Sequence, residues 1–207
     1  MTPYFETELG KLYHGDCLEI MPMLEPVDLV LTDPNYGINI NKSNRLSISR
    51  GFGGETWDEK PVSQERLDLL LKISKNQVIW GGNYFNLPPT KCFLIWDKKN
   101  DGRDFADCEM AWTSFDTVAR IFRKRPQNMD GGKVHPTQKP IYLFLWILNT
   151  YTSKSDLILD PFFGSGTTAI ACEKLNMKWI GIEIEEKYCE IAAKRIEKEN
   201  QQLKLFA

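Results

Sequence analysis

Five short runs rich in β-branched and aromatic residues punctuate this chain: VDLVLT (27–32), QVIW (77–80), KCFLIWD (91–97), DLILD (156–160) and KWIGIEI (178–184). Between them, segments 63–74, 139–151, 166–176 and 186–204 carry apolar residues at helical spacing, the last with a strongly charged opposite face. A strand that is apolar throughout is buried on both faces, and a helix between two such strands makes a parallel crossover. The alternation therefore predicts an α/β, doubly wound fold with a mainly parallel sheet and ligands at the carboxyl ends of its strands. In ADCEMAWTSF and TVARIFR two extended runs follow one another with no room for a helix, which predicts an antiparallel hairpin at one edge.

A length of 207 residues fits one domain, 1–207, and no internal repeat divides it. The stretch from Ile38 to Lys60 is polar, rich in Ser, Asn and Gly, and long enough to form a mobile loop. The formal charge of -2 supplies no overall field that would draw the molecule onto a polyanion, so such a partner must meet a local patch. Two basic clusters qualify: Arg120, Arg123, Lys124 and Arg125, and, less strongly, Lys98, Lys99 and Arg103, in a segment spanning 98–134. The five cysteines are scattered singly and there are only two histidines, which argues against a zinc site or a disulfide framework. Reduced thiols in a cytoplasmic protein are expected. The start MTPYFETELG has neither a basic nor an apolar leader-like region, and no window holds eighteen uninterrupted apolar residues.

LILDPFFGSGTTAIACEKL runs from a buried strand through a glycine turn into a helix, with Gly164 and Gly166 where the backbone bends tightly and admits a ligand. The turn departs from G-x-G-x-x-G and lacks the Lys of a phosphate-binding loop, so neither a pyrophosphate nor a triphosphate is its natural guest. Further on, WIGIEI ends a second strand with Glu183, placed to accept hydrogen bonds from both hydroxyls of a ribose. Asp160 is expected to face a cationic or amine-bearing part of the ligand. Together these parts fit S-adenosylmethionine.

With Asp33, Pro34, Asn35 and Tyr36 of LTDPNYGINI ahead of DPFFGSGTT, the chain resembles the β class of DNA amino-methyltransferases, in which the catalytic motif precedes the cofactor motif. The resemblance covers most of the chain: HGDCLEIM (14–21), GGNYF (81–85), HPTQKP (135–140), DPFFGSGTT (160–168) and GIEI (181–184). It implies a Rossmann-like methyltransferase fold in which Asp160, Gly164, Gly166 and Glu183 hold S-adenosylmethionine, with Phe162 and Thr167 on the same turn. It further implies that Asp16 and Cys17 border the adenine and that Thr137 and Lys139 lie near the methionine end. Asp33 to Tyr36 would form the catalytic loop, with Asp33 also beside the cofactor. Double-stranded DNA as partner, a homodimer, a restriction–modification setting and no metal are implied as well.

That loop has a chemical rationale. An exocyclic amine is a poor nucleophile because its lone pair is spread into the ring. The Asp33 carboxylate and the Pro34 carbonyl could each accept one amino hydrogen and draw the nitrogen toward tetrahedral geometry. Alignment of this kind supplies up to ~7–11 kcal/mol. Extruding a base from the duplex costs a few kcal/mol, and a stacking face such as Tyr36 returns ~1–3 kcal/mol. Asp33 in place of serine points to the 6-amino group of adenine, with the 4-amino group of cytosine as the alternative. Asn35 stands where the family normally has a second proline, whose loss costs ~0.4–1 kcal/mol through chain entropy. It loosens the loop, and a binding module impaired in catalysis is therefore a second reading. Methylation of RNA or of a protein glutamine is a third, which the motif order disfavours.

Other residues have plainer roles. His135 orders the turn before the helix near Lys139, and Trp80, Trp96, Trp112 and Trp146 sit in apolar runs as core. Tyr84 and Phe85 follow a strand end, where lining a base pocket and plain packing are equally open readings.

Overall fold

A central nine-stranded sheet organises the computed structural model, which describes residues 1–38, 59–100, 106–126 and 138–205. In chain order the elements are β1 (Phe5–Glu6), β2 (Gly10–His14), α1 (Cys17–Ile20), β3 (Val27–Thr32), α2 (Gln64–Ile73), β4 (Ser74–Trp80), β5 (Phe93–Asp97) and β6 (Cys108–Thr113). They continue as β7 (Arg120–Arg123), α3 (Ile141–Tyr151), β8 (Leu157–Asp160), α4 (Thr167–Leu175), β9 (Lys178–Glu183) and α5 (Glu186–Leu205). Most of the expected 38–60 loop, together with Arg103, His135 and Thr137, lies outside the described residues.

The strand order is β1-β2-β9-β8-β3-β4-β6-β5-β7. Pairing is parallel from β2 through β9, β8 and β3 to β4, antiparallel from β4 to β6 and β6 to β5, and parallel again from β5 to β7. The mainly parallel α/β sheet with an antiparallel edge is the one the alternation predicts, but the edge hairpin is made by a different pair of strands. β6 returns against β5, and β7 crosses to the far side of β5 instead of pairing with β6. β5 takes β6 on one edge and β7 on the other, so its backbone N–H and C=O groups find ladder partners on both sides. Adjacency in sequence could not reveal an interposed strand.

Two apolar layers flank the sheet. Leu143, Phe144 and Ile147 of α3, Ala169 and Ile170 of α4, and Cys189, Ala192 and Ile196 of α5 pack with Leu29, Leu31 and Trp80 on one face. Leu67, Leu70 and Ile73 of α2, with Cys17 and Ile20 of α1, cover Val30, Ile79 and Leu159 on the other. The period-2 exchange between Leu29, Val30 and Leu31 is the pleat of a strand buried on both faces. α2 starts where the Ser63 side chain accepts from the Arg66 N–H, and α4 stops at Asn176, left-handed at φ 54° with its N–H on the Cys172 and Glu173 carbonyls.

Seven strands therefore point the same way, all but β1 and β6. Their carboxyl ends bring Gly15 and Asp16, Asp33 to Tyr36, Gly81 to Phe85, Lys98, Lys124 and Arg125, Pro161 to Gly166, and Ile184 to one edge of the sheet.

Candidate active site

At the end of β3 the chain turns through Asp33, half-buried, and Pro34, buried. The Tyr36 hydroxyl donates to Asp33 Oδ1. Lys139 Nζ donates to Asp33 Oδ2 at 2.6 Å and to the Tyr36 oxygen at 3.1 Å. The same ammonium lies 2.9 Å from Glu109 Oε2, while Lys98 closes an ion pair on Glu109 Oε1. Lys139 is fully enclosed, with a side chain only 5% exposed. Burial raises the Asp33 carboxyl above its ordinary range against the pull of Lys139, and Glu109 adds to the rise. Burial also disfavours the Lys139 charge, but Asp33 and Glu109 more than offset it and hold its pKa above the usual lysine value. For Glu109, burial is outweighed by Lys139 and Lys98, which hold the acid near about 2. An ammonium between two carboxyl groups is ionised at neutral pH, and Glu109 is ionised with it.

Tyr36 stacks on Tyr84 with ring centroids 5.1 Å apart and planes 15° from parallel, and meets Phe85 edge-on at 6.1 Å. It also packs directly on Gly81, where an added Cβ would fall 2.1 Å from the ring. Gly81 is left-handed at φ 70°, so two constraints select glycine there. The stacking face expected of Tyr36 is thus covered by Tyr84, itself 50% exposed. Asn35 does not leave the corner loose: its side-chain amide donates to the Lys60 carbonyl, and its own carbonyl accepts from the Val62 N–H at 3.0 Å.

The second corner follows β8. Gly164 (φ 52°) and Gly166 (φ 79°) are both left-handed, and a Cβ at Gly164 would meet nothing within 4 Å. Glu183 Oε2 accepts from the Gly164 N–H at 2.7 Å and Oε1 from the Glu185 N–H at 2.8 Å. Burial raises the Glu183 carboxyl against these backbone bonds. Phe162 follows, half-buried, and Thr167 opens α4 with its hydroxyl 3.4 Å from the Lys139 carbonyl. Asp160 differs from expectation. It is 4% exposed, with its oxygens taken by the hydroxyls of Thr32 (2.7 Å) and Thr168 and by the Phe162 N–H (3.2 Å). It belongs to the frame of the turn and does not face outward toward a cationic group.

Asp16 and Cys17 approach from β2. The Gly15 N–H donates to the Glu183 carbonyl at 2.9 Å, which sets Asp16 beside the glycine corner. Asp16 caps α1 through the Leu18 N–H and is clamped by Arg66 at 2.7 Å, while Cys17 is buried. The Thr32–Asp160 bond joins residues 128 positions apart, so both corners end neighbouring, paired strands and are directly stitched together.

Residues 90–194 match the DNA methylase model of the N6/N4 methyltransferase family. The chain is also 40% identical to the type II methyltransferase M.HinfI of Haemophilus influenzae, over 91% of this chain and 68% of that protein. The chain belongs to the N6/N4 DNA methylase family. Another relative of this methylase is the type II methyltransferase M2.LlaDCHI of Lactococcus lactis subsp. cremoris, 27% identical over 95% of this chain and 92% of its own. Among solved structures the fold matches the M1.HpyAVI–SAM complex (TM-score 0.63, 23% identity, 91% and 99% covered). It also matches the cytosine-N4-specific PvuII DNA methyltransferase (TM-score 0.64, 19% identity, 96% and 93% covered). The methylase is therefore a SAM-dependent DNA amino-methyltransferase.

Sequence reasoning passed over Glu109 and Arg66, and read Lys98 as part of a basic patch where the structure pairs it with Glu109. A carboxylate inside the β6 run EMAWT was the available signal for Glu109, because a charged residue in a strand read as buried needs a partner.

Proposed function

We propose that this methylase transfers the methyl group of S-adenosylmethionine to the 6-amino group of adenine in double-stranded DNA. The observation that carries the reading is the Thr32–Asp160 stitch, which fixes the Asp33 corner beside the glycine turn. When bound, S-adenosylmethionine supplies an electrophilic methyl carbon. The residues present suit it: backbone N–H groups, those of Gly164 and Glu185 among them, hold the Glu183 carboxyl as an acceptor for ribose hydroxyls, and the bare Gly164 leaves open space alongside. Asp16 and Cys17 border this site, Phe162, Gly166 and Thr167 shape its wall, and Thr137 belongs to the segment leading into Lys139.

Asp33 accepts one amino hydrogen and the Pro34 carbonyl the other, turning the nitrogen lone pair toward the methyl carbon. The carboxylate has capacity for this, since the Tyr36 hydroxyl and the Lys139 ammonium use only part of its four acceptor positions. Tyr36 provides the platform for the extruded base, which takes the place of Tyr84 on the ring. Asp33, where a serine would weaken the acceptor, favours adenine over cytosine.

Incubation with labelled S-adenosylmethionine and unmethylated duplex DNA, followed by digestion, tests the reading. N6-methyladenine is the expected product; N4-methylcytosine would overturn the choice of base, and binding of both ligands without product would overturn catalysis. Asp33→Ala is expected to lower turnover about 10²–10³-fold, as loss of one preorganised polar partner does elsewhere.

A further inference from the structure

We propose that Glu109 is a positioning residue for methyl transfer, keeping the Lys139 ammonium seated against the Asp33 carboxylate. The inference rests on the proposed role of Asp33 as acceptor for the target amine. Three features carry it. First, Lys139 Nζ lies between two carboxylates, 2.6 Å from Asp33 Oδ2 and 2.9 Å from Glu109 Oε2, so its place is fixed from both sides. Second, Glu109 is itself anchored: it sits in β6 opposite Trp96 of β5, and its other oxygen is ion-paired with Lys98, whose side chain is 14% exposed. Third, the aromatic rings of Tyr36 and Trp80 lie 5.5 and 5.7 Å from the ammonium, which leaves it few ways to be solvated other than through these carboxylates.

Charge counting gives the consequence. Lys98, Glu109, Lys139 and Asp33 form an alternating row of two basic and two acidic side chains. Removing the Glu109 charge leaves two cations facing one carboxylate, and the enclosed ammonium then pays its desolvation against Asp33 alone. Its proton is held less tightly and its position against Asp33 is no longer fixed from behind. Tyr36 shares the displacement, because Lys139 Nζ also donates to its oxygen. Glu109 is ion-paired with Lys139 and Lys98, and bears directly on Asp33 only through its charge.

Glu109→Gln keeps the shape of the side chain and deletes the charge. In the full-length protein its kcat at pH 7.5 is expected to fall about 10–100-fold, as small misplacements of reacting groups do, with KM for DNA and S-adenosylmethionine changed less than about threefold. The kcat–pH profile is expected to gain an alkaline limb within the assay range that the parent protein lacks, and Glu109→Asp to show an intermediate limb. A second readout does not need turnover: in protein carrying ¹³C-labelled lysine, the Lys139 ε-carbon, assigned by its loss in Lys139→Met, titrates at lower pH in Glu109→Gln than in the parent. An active parent, with Glu109→Gln unchanged in both kcat–pH profile and Lys139 titration, would overturn the positioning role. A parent that binds both ligands and makes no methylated nucleoside, while the Lys139 titration shifts as expected, would instead overturn the proposed reaction and leave the seating of Lys139 in place. An unchanged titration in an inactive parent overturns both.

Discussion

Asp160 shows how one side chain can serve geometry at the expense of stability. Burial lifts its carboxyl from the ordinary 3.8 to about 6, although Thr168, Thr32 and the Phe162 N–H all hydrogen-bond to it. An acid weakened by folding contributes fully below pH ~3.8 and loses that contribution as the pH rises through about 6. At neutral pH the cost is on the order of 3 kcal/mol. Asp160→Asn is expected to flatten this dependence, reducing the stability difference between pH 5 and 7.5 by roughly 1 kcal/mol in urea unfolding. Motif reading found Asp160 but not its direction, because three donors from β3, the turn and α4 only meet once the sheet is assembled. Asn35 too is set by a contact that adjacency in sequence does not show. Its tie to Lys60 spans 25 positions and replaces by hydrogen bonding what a proline would supply by stiffness. Asn35→Pro is accordingly expected to leave kcat within a few-fold of the parent when methyl transfer is assayed; activity confined to the proline form would reverse this view.

At the scale of elements, the two turns depend on glycine in different ways. Gly81 is packed: a methyl group there would collide with Tyr36. Gly164 is open: a methyl group there would enter clear space next to Glu183. Both pay about 1–2 kcal/mol for a left-handed alanine. Gly164→Ala should therefore weaken S-adenosylmethionine binding, measured by calorimetry, by far more than it lowers the melting temperature. Gly81→Ala should leave that binding intact and instead lower kcat by displacing Tyr36 from Asp33. From β3 onward the strands and helices were legible in the sequence to within a few residues, because apolar periodicity is local. The missed elements are β1, only two residues long, the five-residue β2, the single turn of α1, and the partner of β7, whose identity depends on β5 lying between it and β6.

Across the whole molecule, the ends of β5 and β7 extend the site edge with Arg123, Lys124 and Arg125, all exposed. Lys98 is withdrawn from this basic face by Glu109, and Arg123 is shared with Asp97 at 3.2 Å. Replacing Arg123 and Arg125 together by Ala is expected to weaken DNA binding and to reduce the slope of log affinity against log salt by up to about two, at ~0.9 per lost phosphate contact. An unchanged slope would remove the patch from the DNA interface. The order of strands also bears on how the molecule is made. β2 and β3 are synthesised early yet are not neighbours; β9 and β8 fill the gap between them. As the polypeptide leaves the ribosome, its amino-terminal third must wait with unpaired edges until residues beyond 183 have emerged. Such long-range closure slows folding. It also means that the Asp33 corner and the glycine turn come together only after β8 has been made and has docked beside β3, long after the first of them has left the ribosome.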